Sequence, residues 1–231
     1  MNKELRFALI KTLPIMTGFV FLGITYGLYM HQLGFNFWYP TLMALTIFGG
    51  SIEFVIANAL LKAFNPWLTL TLTLIINSRH FFYGLSMLEK YKNTGLKKLY
   101  LIFGLCDETF SINFATVLPD DLKEKKYYFY VTLLNHFYWV FGAFVGGIAG
   151  SFISFQIKGI DFVLVALFIV LFMSQFMVKA QRSSSLMGLF VGLVSLLIFG
   201  SQFFLPIAML LMVLLFWFEY KKEGPAHDGT E

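Results

Sequence analysis

Glu53, Arg79, His80, Asp107, Glu108 and His136 stand inside apolar runs of the chain rather than between them. Asn77 and Asn135 accompany them. A guanidinium is a permanently charged planar fork matched to a carboxylate. Carboxylates and imidazoles at the same depth can carry protons or receive an ammonium group. Each charged group at the centre of a bilayer costs about 2.5–3.5 kcal/mol on insertion scales. A chain keeps such groups only where they pair, face water or perform a function. Charge counting sharpens this point. Three carboxylates, Glu53, Asp107 and Glu108, face one obligatory cation, Arg79. At least one acid therefore needs a proton, a bound cation, a base from another subunit or a substrate ammonium. One guanidinium with one spare carboxylate complements a zwitterion, with Arg79 for the carboxylate and Asn77 and His80 in support. Asp107, Glu108 and Glu53 are then the residues to receive the ammonium or relay protons.

The spacing of these residues sorts them onto faces. Asn77 and His80 share one helical face, and Arg79 points elsewhere. Glu53 lies on a face with Gly49 and Ala57, and Glu108 on one with Gly104 and Ser111, so each acid sits in a groove of small residues. The stretches "GGSIE" and "NSRH" put weak helix formers in mid-span. They predict discontinuous helices, whose exposed backbone ends hold charged substrate groups in many transporters. A weak internal echo relates "SIEFVIANALL" to "DETFSINFATVL", and "NSRHFFYG" to "NHFYWVFG".

Chemistry of this kind needs membrane-spanning elements to position it, and the composition supplies them. Of the 231 residues, 58% are hydrophobic and 13% charged, against about 25% charged in soluble domains. Several segments reach the roughly 20 apolar residues that one crossing requires. The expected fold class is an all-α polytopic membrane protein with seven or eight transmembrane helices. The eight candidates are Phe7–Met30, Trp38–Leu61, Pro66–Leu88, Lys98–Leu118, Tyr127–Phe152, Asp161–Lys179, Leu186–Gly200 and Phe203–Tyr220. Residues 1–220 read as one transporter domain, and 221–231 as a polar, disordered tail. The first span is too long for a signal-peptide core and lacks a cleavage site.

Lysine and arginine distribution orients the bundle. With the N-terminus cytoplasmic, eleven Lys and Arg residues fall inside and five outside. The lysine-rich loop "EKYKNTGLKK" opposes this orientation. A re-entrant third segment would move that loop to the cytoplasm. Small residues four apart (Gly23 and Gly27; Gly142, Gly146 and Gly150; Gly188 and Gly192) predict close helix packing. Trp38, Trp67, Tyr127, Tyr128, Trp217 and Tyr220 fit interfacial aromatic belts. The lone Cys106 excludes an internal disulfide. No His-x-x-x-His spacing marks a metal site, and no basic stripe marks nucleic-acid binding.

Five stretches carry a resemblance: "LPIMTGFVFLGITYG" at 13–27, "GGSIEF" at 49–54, "NSRHFFYG" at 77–84, "DETFSI" at 107–112 and "GIDFVLVALF" at 159–168. In this order they resemble the AzlC family, the large subunit of branched-chain amino acid exporters associated with azaleucine resistance. The resemblance implies an apolar amino acid as substrate and a small hydrophobic partner subunit of the AzlD type. One position departs from the pattern, because Glu53 stands where the family commonly carries glutamine. The resulting expectation is a multi-pass permease of the inner or plasma membrane, coupled to protons, with no cofactor, metal or catalytic residue. Two alternatives stay open. One is an intramembrane enzyme using His80, His136, Asp107 and Glu108; the other is an assembly subunit whose partner does the transport.

Overall fold

The computed structural model describes residues 2–61, 65–152 and 179–223, with isolated positions between 162 and 177. The chain divides into two units, Met1–Leu164 and Val165–Glu231. Every regular element among the described residues is a helix.

The first unit opens with α1, Lys3–Gln32, and its last described helix is α8, Glu124–Phe152. Both are long and apolar enough to cross a membrane, at about 45 Å each by helical rise. Between them lie three pairs of short helices: α2 (Trp38–Thr46) with α3 (Ser51–Leu60), α4 (Pro66–Ile76) with α5 (Ser78–Met87), and α6 (Lys97–Phe103) with α7 (Asp107–Ala115). Each half is 7 to 11 residues long, or roughly 10–17 Å at 1.5 Å per residue. No half alone reaches across a hydrocarbon core of about 30 Å, whereas two halves end to end approach it.

Each break has a local cause. After α2, Phe48 and Gly50 both take positive φ, 48° and 55°. Gly50 does so freely, whereas Phe48 is held in a region that side chains disfavour. At the α4–α5 joint, Asn77 leaves helical geometry with φ −95° and ψ 9°. Between α6 and α7, Cys106 is fully extended at ψ 178°. The first two breaks fall at the stretches "GGSIE" and "NSRH". The third has no such signal: Lys98–Leu118 reads as one helix by hydropathy, yet the chain divides at Gly104–Cys106.

The glycine pattern finds its partner within the chain. A Cβ added at Gly23 would lie 2.9 Å from Gly142 Cα, and one at Gly142 would lie 2.7 Å from Val20 O. A Cβ at Gly27 would fall on the backbone of Ala143, Gly146 and Gly147. The two helices touch backbone to backbone, as small-residue seams allow. Thr12 meets Tyr138, Gly23 meets Gly142 and His31 meets Gly150. Partner numbers rise together along the seam, so α1 and α8 run parallel.

Two of the aromatic assignments are corrected. Tyr127 and Tyr128 are core residues, packed with Tyr91 and Leu101, because the first turn of α8 faces inward. Trp38, Trp67 and Trp217 are exposed.

In the second unit, α9 runs Lys179–Glu223, with a non-helical joint at Gly200 (φ 69°, ψ 176°). It covers the stretch read as the seventh and eighth segments, and Arg182–Gly200 is long and apolar enough to cross. Most of the sixth segment, Asp161–Lys179, and tail residues 224–231 lie outside the described residues.

Candidate functional site

The three breaks place the anticipated polar residues at half-helix ends. Glu53 is in the first turn of α3, Arg79 in the first turn of α5, and Asp107 and Glu108 open α7. A helix N-terminus carries partial positive charge and unpaired N–H groups. Acids in the first turns of α3 and α7 therefore meet donors that the breaks expose.

Glu53 is fully buried. Its Oε1 accepts from the Gly49 N–H at 2.8 Å, across the α2–α3 break. Trp139 Nε1 of α8 donates to both carboxylate oxygens at 3.2 Å. No lysine or arginine pairs with Glu53 among the described residues. The carboxyl group is held by neutral donors alone and satisfies two N–H groups that lipid could not.

Arg79 and Asp107 form an ion pair, Nη1 to Oδ2, at 3.0 Å, with side chains 34% and 23% exposed. One turn further on, Tyr83 of α5 stacks on Phe110 of α7 with ring centroids 4.5 Å apart. That stack holds the two half-helices side by side at the pair. Arg79 Nε and Asp107 Oδ1 are buried with no hydrogen-bond partner among the described residues. The pair therefore leaves one donor and one acceptor unused. Glu108 follows in the same first turn of α7.

Asn77 and His80 occupy a different face, as their spacing predicts. His80 Nδ1 lies 3.2 Å from Asn77 O. Both residues line a cavity of about 500 Å³, within the usual range for small-molecule sites. The cavity runs from the breaks (Phe48, Gly49, Asn77, Leu105) along α5 to Leu88, Tyr91 and Lys98. Residues 77 to 88, α5 with its two caps, span about 16 Å by helical rise, so the cavity reaches from the breaks to the far end of α5. Its other walls are mainly apolar, including Phe81, Leu85 and Ile102. Arg79, Glu53, Asp107 and Glu108 do not line it.

Phe48 and Phe103 stand between the cavity and the buried polar interior. Both line the cavity, and both pack on His136, with ring centroids 4.7 and 5.5 Å away. His136 Nδ1 is 2.9 Å from the Tyr100 hydroxyl. Asn135 Nδ2 donates to Thr109 Oγ1 at 3.1 Å, which ties α8 to the first turn of α7.

Sequence reasoning brings together Asn77 with His80 but does not find Trp139, Tyr100 or Lys98. A signal exists for Trp139. It falls three residues after His136 and four after Asn135, and a buried indole N–H seeks an acceptor. Lys98 reads in the sequence as a loop charge.

Residues 14–153 match the family model described as "AzlC protein". A Bacillus subtilis protein named "Branched-chain amino acid transport protein AzlC" is 55% identical over 199 residues, which cover 86% of this chain and 78% of that one. The chain belongs to the AzlC family. A Haemophilus influenzae protein named "Uncharacterized membrane protein" is 48% identical, covering 84% of this chain and 80% of its own. "Inner membrane protein YgaZ" of Escherichia coli is 25% identical over 86% of this chain and 82% of its own. No solved structure matches. With these relatives and its long apolar helices, this AzlC-family chain is a multi-pass membrane protein.

Proposed function

We propose that this chain is the substrate-carrying large subunit of an exporter for branched-chain or similarly apolar amino acids in the inner (plasma) membrane, coupled to protons. The observation that carries this reading is the cavity of about 500 Å³ ending at the helix breaks, with the Arg79–Asp107 pair and Glu53 in the same broken helices. Broken helices around a midplane cavity are a recurrent transporter design. The name of the Bacillus subtilis relative, a branched-chain amino acid transport protein, supports the substrate class.

Asn77 and His80 contact the substrate from the cavity wall. Arg79 is engaged by Asp107, so it meets a substrate carboxylate only by exchange. When the guanidinium turns to the substrate, Asp107 gives up its cationic partner and is the proton carrier nearest the exchange. Glu108 and Glu53 are further proton carriers in this scheme. A small AzlD-type subunit completes the exporter. Eight crossings with a cytoplasmic N-terminus rest on the apolar runs and the lysine and arginine distribution, and the parallel seam bears on the third segment alone. Parallel α1 and α8 need an odd number of crossings between them, which three two-part segments provide. A re-entrant third segment between two full crossings would leave an even number.

Reconstitution into proteoliposomes, with and without the small subunit, tests the proposal. Loaded leucine or valine should leave faster under an imposed pH gradient. No efflux of any apolar amino acid under either condition overturns the reading. Full efflux by a stably inserted Arg79→Ala variant removes Arg79 from its role.

A further inference from the structure

The cavity has an unbalanced charge. Among the described residues, Lys98 is the one lysine or arginine lining it, and no carboxylate does. Lys98 makes no salt bridge among the described residues. Its neighbour Lys97 is occupied differently, with Nζ 4.6 Å from the centroid of the Phe129 ring, and does not line the cavity. Lys98 belongs to the first turn of α6, beside Tyr91 and Leu88 at the end of the cavity away from the breaks. At the other end the polar groups are Asn77, whose Oδ1 is buried without a partner among the described residues, and His80. Between the two ends the walls are apolar side chains such as Phe81, Leu85 and Ile102.

We propose that Lys98 receives the carboxylate at the far end of this cavity, ahead of any exchange at Arg79, and that the cavity admits short branched carboxylic acids whether or not they carry an α-amino group. The proposal rests on the transport reading for the site but makes a separate claim about it. An ammonium near a carboxylate in a mostly apolar space forms a charge-assisted hydrogen bond, stronger than a neutral one. Among the described lining residues no fixed acid competes for Lys98, and none is placed to require a substrate ammonium. With the carboxylate on Lys98, the α-amino group meets no acidic side chain among the described lining residues, so its loss is tolerated. Loss of the carboxylate is not. Leucine and 4-methylpentanoate both fit this description; leucinamide and 3-methylbutylamine do not.

The test is ligand-induced thermal stabilisation of the purified full chain, with leucine, 4-methylpentanoate, leucinamide and 3-methylbutylamine as probes. Wild type, Lys98→Gln, Lys98→Arg and the control Lys97→Gln are compared. The two acids should stabilise wild type and Lys97→Gln, and the amide and amine should not. Lys98→Gln should raise the half-saturating concentration of both acids about 10- to 100-fold, as expected for a lost hydrogen bond to a charged group. Lys98→Arg should recover most of that loss. Unchanged binding of leucine by a folded Lys98→Gln variant refutes the role of Lys98 and leaves the amino acid reading intact. Lys98-dependent binding of 4-methylpentanoate without leucine binding does the reverse. Stabilisation by the amide or amine equal to that by the acids overturns the proposal, as does no stabilisation by any probe.

Discussion

Glu53 offers the sharpest test of how this membrane interior is held together. Its Oε1 accepts from both Gly49 N at 2.8 Å and Trp139 Nε1 at 3.2 Å, whereas Oε2 has only the second arm of the Trp139 contact. In a Glu53→Gln variant the amide can place its carbonyl oxygen at the shared position. It then keeps both donors, but its NH2 takes the Oε2 position, where it faces the Trp139 N–H and has no acceptor among the described residues, a loss of about 1–3 kcal/mol. Alanine leaves two buried N–H groups unpaired. At about 1–3 kcal/mol each, that is roughly 2–6 kcal/mol before any cavity term. The two variants should differ by at least about 1–2 kcal/mol, roughly a 5- to 30-fold difference in the ratio of folded to unfolded protein. Heat denaturation of detergent-solubilised protein, followed by size-exclusion fluorescence, measures the gap. In proteoliposomes, Glu53→Gln should retain leucine exchange while losing acceleration by a pH gradient, since an amide holds no exchangeable acidic proton. Equal destabilisation by the Gln and Ala variants would show that charge, not hydrogen bonding, fixes this residue. A Glu53→Gln protein still driven by the gradient would remove Glu53 from the proton path.

Three further outcomes follow from the geometry. Gly27→Ala drives a methyl group into the backbone of α8 and should destabilise by about 1–3 kcal/mol, while Gly192→Ala, with nothing within 4 Å, should be neutral; thermal melts of both variants decide this. Asp107→Asn and Arg79→Ala should each cost about 1–3 kcal/mol, discounted for partial exposure, and the double variant should cost less than their sum; strict additivity in the cycle would mean that the pair has no energetic reality. In a Cys106→Ser background, an impermeant maleimide should label Leu88→Cys only from the membrane face bearing Lys90, more slowly with leucine present, and should spare buried Phe54→Cys; labelling of Leu88→Cys from the opposite face would reverse the direction in which the cavity opens.

The polar inventory and two of the three breaks were legible because the bilayer makes them costly. Arg79 in an apolar run, glycines before Glu53, and an Asn-Ser pair in mid-span all violate the local rule for a spanning helix. The break at Gly104–Cys106 was not legible. A single glycine between apolar residues reads equally well as continuous helix, and only the extended backbone of Cys106 reveals it. Spacing separated Arg79 from Asn77 and His80, and the structure keeps them apart: Arg79 meets Asp107, while the other two line the cavity. Which of three carboxylates Arg79 would meet could not be read, since it depends on how three broken segments pack. Trp139 was hidden because an indole within an aromatic run passes for lipid-facing bulk. The glycine stripes announced close packing, but their pairing between α1 and α8 joins residues far apart in sequence.

That long-range pairing has a consequence for biosynthesis. Gly23 and Gly142, which meet across the seam, lie 119 positions apart in the sequence. At about 5–20 residues per second, synthesis of the intervening chain takes roughly 6–24 s. Through that interval α1 is in the bilayer with its glycine face lacking the helix it was shaped for, and lipid chains fill a groove that α8 must later empty. The order of synthesis thus makes α8 the closing element of the first unit. A chain that ends before α8 would lack the seam that frames the broken segments.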